Sequence, residues 1–182
     1  MPLDAFREQI EINLTGTLAV TQAFLPHLSR GGRIVNVSSV AAATAMPFLG
    51  AYSASKAALE AMSESLRREL RTRGIDVVIV QPGGIRTPIW RKAGAADSSA
   101  LAGTPYDAPA AEFRSVALAA GEGGLAAEKV GALVARIVLD PRRPKTRYLI
   151  TPHPVTERLM RMLPARLLDR LIATRLGIRK AS

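Results

Sequence analysis

The spacing of apolar residues along the first half of the chain predicts helices that alternate with strands. Apolar side chains recur at helical intervals from Pro2 to about Leu28, which predicts a first helix. Two β-branched runs, Arg33–Ser38 and Ile75–Val80, are typical of strands covered on both faces. Residues Tyr52–Leu70 between them predict a helix that stops before Gly74. Strands that alternate with helices usually pair in parallel, so the predicted fold class is α/β.

The second half of the chain has a weaker pattern. From Thr87 to about Glu128 the sequence is rich in Ala, Gly, Ser and Pro, so we expect a long loop with short helical pieces. A helix is predicted over Ala126–Leu139 and a third short strand over Arg147–Ile150. The tail, Thr156–Leu176, is predicted to be helical and split by Pro164. One face of its second part is apolar and the other is mostly charged, with Leu167, Leu168, Leu171 and Ile172 on the first and Arg166, Asp169, Arg170 and Arg175 on the second.

The composition fits an ordinary globular chain with one core. It has 182 residues, of which 48% are hydrophobic and 22% charged. No apolar run is long enough to span a membrane, and the start MPLDAFREQ lacks the apolar core of a signal peptide, so we expect a cytoplasmic protein. The sequence contains no cysteine, and His27 and His153 have no partner at ligand spacing. We therefore predict no metal site and expect both histidines at the surface or in packing.

The net charge of +10 is concentrated at the end of the chain. Residues 1–141 hold 14 basic and 13 acidic side chains, whereas residues 142–182 hold 11 and 2. Aromatic residues make up only 4% of the chain, too few for the stacking platforms of single-strand binders, so we expect no nucleic-acid partner. A basic amphipathic tail is a candidate for peripheral contact with an anionic membrane or an acidic partner. The commoner explanation is a helix that packs on its own domain with a solvated basic face.

Three polar features are candidates for chemistry. Tyr52 and Lys56 lie one helical turn apart on a stretch of Ala and Ser, so they point the same way. Ser39 follows the first predicted strand, and the turn Pro82–Thr87 follows the second. The carboxyl ends of parallel strands meet at one edge of a sheet, so these groups should lie together. Each also has a plainer explanation, as a surface pair, a strand-end cap or a tight turn.

Together the segments NVSS, Tyr-x-x-x-Lys and QPGGIRT closely resemble the short-chain dehydrogenase/reductase family, over residues 1 to about 150. The resemblance implies that Tyr52 is the catalytic acid/base, that Lys56 holds the nicotinamide ribose and lowers the pKa of the tyrosine, and that Ser39 binds the substrate oxygen. Asn13 matches a helix asparagine that steadies a water in the proton relay, although a tolerated polar residue would also explain it. The turn that meets the nicotinamide carboxamide and the phosphates is matched by Pro82, Gly83, Ile85 and Thr87.

Elementary chemistry is consistent with these roles. Hydride transfer at a carbonyl carbon requires a proton to move at its oxygen, and a tyrosine with the ordinary pKa of about 10 is a poor base near neutrality. A neighbouring ammonium and an oxidised nicotinamide, which is positively charged, both favour the phenolate. A serine hydroxyl such as that of Ser39 can donate to the developing alkoxide. The predicted function is an NAD(P)-dependent oxidoreductase that acts on an alcohol or ketone.

Two motifs of the family do not occur in the sequence, namely the Gly-rich turn T-G-x-x-x-G-x-G and the segment N-N-A-G. Gly121, Gly123 and Gly124 follow an Ala-rich segment and are no substitute for that turn. We therefore expect an incomplete, Rossmann-like doubly wound sheet of about three strands, with roughly 90 residues of a whole enzyme absent before it. The strand at Ile34–Val37 should then have one unpaired edge. The hypothesis is an N-terminally truncated form that binds cofactor weakly or not at all. The choice between NAD and NADP cannot be read.

We expect residues 1–155 to form the partial Rossmann-like domain and residues 156–182 a basic helical extension of it. Apolar residues in the expected loop suggest an apolar alcohol or ketone as substrate, namely Ile89, Trp90, Leu101 and Phe113. The family resemblance also implies a homo-oligomer, because the helices that hold Asn13 and Tyr52 commonly pair between subunits. The alternative function is a non-catalytic fragment kept for assembly, or a module that binds a membrane surface or partner through its basic tail.

Overall fold

The computed structural model describes residues 2–90 and 99–178. Helices and strands follow one another throughout these two ranges. In chain order they are α1 (Leu3–Ile10), α2 (Gly16–Phe24), β1 (Arg33–Val37), α3 (Gly50–Glu69), β2 (Asp76–Pro82), β3 (Ile85–Arg86), α4 (Asp107–Glu122), β4 (Leu125–Ala126), α5 (Ala127–Leu139), β5 (Arg147–Ile150), α6 (Pro154–Met162) and α7 (Ala165–Leu176).

The main sheet has three parallel strands in the order β1–β2–β5. Val35 of β1 lies opposite Val78 of β2, and Val80 of β2 lies opposite Tyr148 of β5. The predicted α/β class with a parallel sheet of about three strands is confirmed. The predicted strand bounds agree with the structure to within two residues, because the β-branched runs are short and end at abrupt turns.

Helices cover both faces of the central strand β2. Val78 and Val80 pack against Leu133 and Ile137 of α5. On the opposite face, Val77 packs in a second cluster with residues from the end of α2, β1 and the end of α3, namely Leu25, Leu28, Ile34, Leu66, Leu70 and Ile75. Successive side chains of a strand point to opposite faces, so a strand covered on both sides is apolar almost throughout.

The first predicted helix is present but is not regular. A π-helical segment, Glu11–Thr15, separates α1 from α2, and a 3₁₀ turn over Leu25–His27 ends the stretch. Asn13 lies in the middle of this segment, and its carbonyl accepts a hydrogen bond from the hydroxyl of Thr17 at 2.9 Å. Short π-helical segments are rare and are frequent at functional sites.

The prediction of a long loop over Thr87–Glu128 was wrong. Residues 91–98 of this range lie outside the described residues, but Asp107–Glu122 forms the 16-residue helix α4. The sequence of α4 is rich in Ala, which has a high helix propensity, but it carries few apolar residues at helical spacing. Periodicity was therefore a poor guide where composition favoured a helix.

Two glycines bring the turn after β2 against the end of α4. A Cβ added at Gly84 would lie 2.2 Å from the carbonyl oxygen of Ala120, and one at Gly124 would lie 2.5 Å from the carbonyl carbon of Gly84. This close approach allows the backbone N–H of Leu125 to donate to the carbonyl of Gly84 at 2.9 Å and β3 to pair with β4. Gly124 thus has a packing role that the sequence did not reveal.

Replacing Gly124 by Ala is expected to lower the free energy of unfolding by about 2 kcal/mol, because the atoms that the new methyl group meets belong to the backbone and cannot rotate away. Gly131→Ala is the matched control, since Gly131 is exposed in α5 and a Cβ there meets nothing within 4 Å. That variant is expected to raise stability by about 0.5–1 kcal/mol through helix propensity. Urea unfolding of both variants checks this, and equal effects would contradict it.

The tail forms two helices that Pro164 separates, as predicted. Leu176 at the end of α7 is buried, and Arg175 forms an ion pair with Glu112 of α4, so α7 packs on the rest of the chain. On the face predicted to be apolar, Leu168 and Ile172 are half-buried, whereas Leu167 and Leu171 are exposed. None of the described helices is long and apolar enough to cross a bilayer.

Candidate functional site

The carboxyl ends of β1 and β2 lie side by side at one edge of the sheet. Ser39 follows β1, and Gly83 follows β2, whose residue Val80 lies opposite Val37. The helix α3 reaches the same edge, because Lys56 on its second turn contacts the carbonyl of Val37. In parallel α/β sheets this edge is where ligands bind.

Tyr52 and Lys56 lie together on α3, as predicted. The ammonium of Lys56 is 5.9 Å from the centre of the Tyr52 ring and donates a hydrogen bond to the carbonyl of Val37 at 2.9 Å. Burial lowers the pKa of the Lys56 ammonium from its usual 10.5. A lysine has three N–H donors, so the bond to Val37 leaves two for a ligand.

Ser39 is buried at the end of β1. Its hydroxyl oxygen accepts a hydrogen bond from the backbone N–H of Ala41 at 3.1 Å and so caps the 3₁₀ turn Val40–Ala42. The plainer explanation expected Ser39 to cap the strand end, and the structure shows that it caps the start of the following turn instead. A hydroxyl that accepts can still donate its own proton, so the cap fixes the oxygen of Ser39 and leaves its O–H able to donate.

Asn13 is linked to α3 through Ser55. The amide of Asn13 donates to the hydroxyl of Ser55 at 3.0 Å, and that hydroxyl donates to the carbonyl of Tyr52 at 2.8 Å. Ser55 is fully buried. It was not singled out from the sequence, where its only signal is its place between Tyr52 and Lys56. The π-helical segment is thereby tied to the helical turn that carries both residues.

The residues of the turn after β2 lie in two different places. Pro82 is the buried last residue of β2, and a Cβ added at Gly83 would lie 2.5 Å from the hydroxyl of Thr151, so both are packed at the sheet edge. Ile85 belongs to β3, and with Thr87 it borders a shallow apolar hollow against α5. Pro82 and Gly83 therefore lie at the carboxyl edge of the sheet, called the rim below, whereas Ile85 and Thr87 lie beside α5.

A wide groove of about 790 Å³ runs between the first helical stretch and β1. Asn13 and Lys56 are among its polar lining residues, and its exposed apolar residues are Ile12, Val20, Phe24 and Val37. Among the described residues β1 has a neighbour only on the side of β2, so the predicted unpaired edge is confirmed. Such an edge presents free backbone N–H and C=O groups.

Phe48, in the loop before α3, has a left-handed backbone with φ of 67°. This region is unfavourable for residues other than glycine and is often found near functional sites. The Phe48 ring lies 5.8 Å from the ring of Phe113 in α4, tilted by 45°. The helix that periodicity missed therefore contacts the loop that leads to Tyr52.

Both histidines are exposed, as expected, at the end of the first helical stretch and just before α6. Across residues 2–90 and 99–178 there is no cluster of three His, Cys, Asp or Glu side chains suited to a metal ion.

The fold is that of an α/β protein with a parallel sheet, and the Tyr/Lys pair and the buried serine lie at the carboxyl edge, where such proteins bind ligands. The sequence model of the short chain dehydrogenase family matches residues 1–98, and the chain belongs to this family.

Named relatives are reductases and oxidoreductases. The chain is 33% identical to the NADPH-dependent 3-dehydrocapnine reductase of Ornithobacterium rhinotracheale, over 94% of this chain and 62% of that protein. It is 44% identical to the uncharacterized oxidoreductase YusZ of Bacillus subtilis, over 50% of this chain and 33% of that one. The chain therefore spans less than two thirds of the length of these relatives.

Solved structures show the same fold. A short chain dehydrogenase from Burkholderia cenocepacia in complex with NADP superposes with a TM-score of 0.59 at 32% identity, covering 82% of this chain and 56% of that one. A short-chain dehydrogenase from Streptomyces avermitilis gives 0.64 at 25% identity, covering 96% of this chain and 60% of that one.

Proposed function

We propose that the chain carries the catalytic part of an NAD(P)-dependent oxidoreductase that transfers hydride between a nicotinamide and an alcohol or ketone. The observation that carries the proposal is that Lys56, with Tyr52 beside it, donates to Val37 at the carboxyl end of β1, which Ser39 follows. Asn13 is linked to the carbonyl of Tyr52 through Ser55. Membership of the short chain dehydrogenase family supports it, as do relatives named as reductases.

The residues present fit the nicotinamide end of such a cofactor. Lys56 has two unused N–H donors for ribose hydroxyls, and the hydroxyl of Tyr52 lies on the same helix face. We assign the carboxamide and phosphate contacts to Pro82 and Gly83 at the carboxyl edge of the sheet and to Ile85 and Thr87 in the segment that continues from it beside α5. A bound nicotinamide supplies or accepts the hydride. NADP-bound neighbours and an NADPH-dependent relative make NADPH the cofactor to test first, with NADH beside it.

In the direction of reduction, the hydroxyl of Tyr52 donates its proton to the substrate oxygen as the carbonyl carbon receives hydride. Ser39 donates a hydrogen bond to the same oxygen, which stabilises the negative charge that develops there. The ammonium of Lys56 favours the phenolate that remains. The hydrogen bonds from Asn13 to Ser55 and from Ser55 to Tyr52 stabilise the helical turn that carries Tyr52 and Lys56, so that these two side chains keep their relative position.

The substrate is proposed to be apolar. Phe48 is 40% exposed beside Phe113, close in sequence to Tyr52, and Ile89 is 63% exposed after the turn that follows β2. Trp90 and Leu101 are half-buried, and the indole N–H of Trp90 donates to the carbonyl of Ile85. Aromatic and aliphatic side chains of this kind favour a ketone or alcohol without charge.

The test is consumption of reduced nicotinamide by the purified chain with a panel of apolar ketones. We expect turnover at high cofactor concentration and weak cofactor binding, because the sequence holds no Gly-rich turn for the pyrophosphate. Micromolar binding would contradict the proposed weak affinity. No turnover with either cofactor would favour the alternative of a non-catalytic relative kept for assembly.

We also propose a homo-oligomer, supported by the exposed apolar residues Leu3 and Ile12 on the first helical stretch.

A second candidate function is peripheral contact of a cytoplasmic chain with an anionic membrane through residues 156–182, of which 179–182 lie outside the described residues. The observation that favours it is an exposed apolar stripe on α6, where Val155, Leu159 and Met162 are 65%, 58% and 80% exposed. Within residues 142–178, Arg158, Arg166 and Arg170 form no ion pair, whereas Arg142, Arg143, Arg147 and Arg175 pair with acidic side chains. Free cations beside an apolar stripe suit an anionic lipid surface.

Co-sedimentation with vesicles that contain phosphatidylserine checks the membrane contact. Arg158→Gln is expected to weaken binding about fivefold, since one cation near an anionic surface contributes about 1 kcal/mol. Met162→Asp should weaken it further. Leu139→Asp is the control, because Leu139 is 78% exposed on α5, outside the tail. Equal loss in the control, or no binding by the unmodified chain, would refute the contact.

A further inference from the structure

A buried carboxylate lies beneath the candidate site and contacts both strand ends that form it. Glu60, one turn beyond Lys56 on α3, is 8% exposed. Its Oε1 accepts hydrogen bonds from the hydroxyl of Ser38 and from the side-chain amide of Gln81, each at 2.7 Å. Ser38 precedes Ser39, and Gln81 precedes Pro82. One oxygen atom therefore joins α3 to the last residues before both polar segments of the rim.

The charge of this carboxylate is balanced from the third strand. Arg147 of β5 donates to Oε2 of Glu60 at 2.5 Å and to Glu64 at 2.9 Å. Arg161 of α6 donates to the side-chain oxygen of Gln81 at 3.1 Å. A buried charge is stable only when it is paired and hydrogen-bonded. Both oxygens of the Glu60 carboxylate have such partners, and these contacts fix its position.

Resting on the proposed function, we propose that Glu60 is a positioning residue that sets where Ser39 and the Pro82–Gly83 turn stand relative to Tyr52 and Lys56. Both segments follow a strand end directly, so loss of the shared acceptor frees them together. The change expected is a misplaced donor at the substrate oxygen, which affects the transition state more than the binding of substrate or cofactor.

The test compares Glu60→Gln with Glu64→Gln. Glu60 and Glu64 both lie on α3, and each carboxylate pairs with Arg147. Glu64 differs because it is half-exposed and its only hydrogen bonds among the described residues go to Arg147 and Arg68.

In Glu60→Gln the amide oxygen is expected to face the Arg147 guanidinium, which can only donate. The NH2 group of that amide then lies against the Ser38 hydroxyl and the Gln81 amide, and their shared acceptor is lost. Glu60→Gln is expected to lower kcat at least tenfold with KM within threefold, and Glu64→Gln to leave both within twofold. Equal kcat in the two variants would overturn the proposal.

Hydrogen exchange gives a readout that does not depend on turnover. In Glu60→Gln, backbone amides of residues 38–44 and 81–87 are expected to exchange at least tenfold faster, with the rest of the sheet unchanged. If the unmodified chain shows no turnover, the proposed function fails while this local change still supports the positioning role. Uniformly faster exchange, or none, would refute it.

Ser38→Ala covers the case in which Glu60→Gln does not fold. It removes one hydroxyl of the network and leaves the carboxylate with Gln81 and Arg147. We expect kcat to fall at least threefold and exchange to rise in residues 38–44 only. Unchanged kcat and unchanged exchange in this variant would likewise overturn the proposal.

Discussion

Replacing Tyr52 by Phe is expected to lower turnover by a factor of about 10³, within the range of general acid–base contributions. The change removes one oxygen atom and leaves the ring beside Lys56. Without the Tyr52 hydroxyl, the substrate oxygen would have to take its proton from water. The measurement is the initial rate of nicotinamide consumption at saturating cofactor and ketone.

Tyr148→Phe is the matched control for this variant. The hydroxyl of Tyr148 accepts the backbone N–H of Lys145 in the turn before β5, away from the rim. We expect a small loss of stability and turnover within twofold of the unmodified chain. Tyr52→Phe should keep the oligomeric state and the unfolding midpoint of the unmodified chain. Turnover that survives in Tyr52→Phe would remove Tyr52 from the proton-transfer role.

Lys56→Met is expected to lower turnover about a hundredfold while the chain stays folded. The methionine keeps the apolar stem of the side chain but removes the ammonium that favours a phenolate at Tyr52 and that is proposed to hold the ribose. It also leaves the carbonyl of Val37, on the open edge of β1, without its lysine donor. Because Val37 is 44% exposed, water can replace that hydrogen bond at little cost.

The pH dependence of stability tests whether the Lys56 ammonium is buried in the folded chain. Burial lowers the pKa of Lys56 in the folded chain below its usual 10.5. Between the lowered pKa and 10.5 the unfolded chain therefore binds more protons at this position than the folded one. The free energy of unfolding of the unmodified chain should accordingly rise, relative to that of Lys56→Met, as the pH increases through this window. Urea unfolding across alkaline pH measures the difference, and a constant difference would contradict the burial of this charge.

The sequence was sufficient for the parallel sheet and for the order of its helices. Arg33–Val37 and Asp76–Pro82 are rich in β-branched residues, and each follows a glycine turn, a pattern typical of short buried strands. The Tyr52/Lys56 pair could also be predicted, because both residues lie on one helix and their spacing fixes their relation. Local periodicity was the common source of these successes.

The elements that the sequence did not predict depend on distant contacts. Helix α4 has weak periodicity, and its place is set by Phe48 and by Arg175, which lie far from it along the chain. The contacts of Glu60 span 21 to 87 positions, and a lone acidic residue on a helix is usually a surface residue. Part of the basic charge of residues 142–182 is offset by distant acidic side chains, since Arg143 and Arg147 pair with Asp76, Glu60 and Glu64.

The strand order β1–β2–β5 also sets an order for folding. The unit β1–α3–β2 can pair once residue 82 has left the ribosome, because the contacts between its two strands lie within one crossover. The other edge of β2 can pair only after Arg147–Ile150 has been synthesised. Closing the longer loop between β2 and β5 is slower than closing the crossover between β1 and β2. During synthesis the central strand thus stays half-paired while α4 and α5 are translated. A ribosome that pauses in that interval would display the edge of β2 to chaperones, a vulnerability that disappears once β5 has docked.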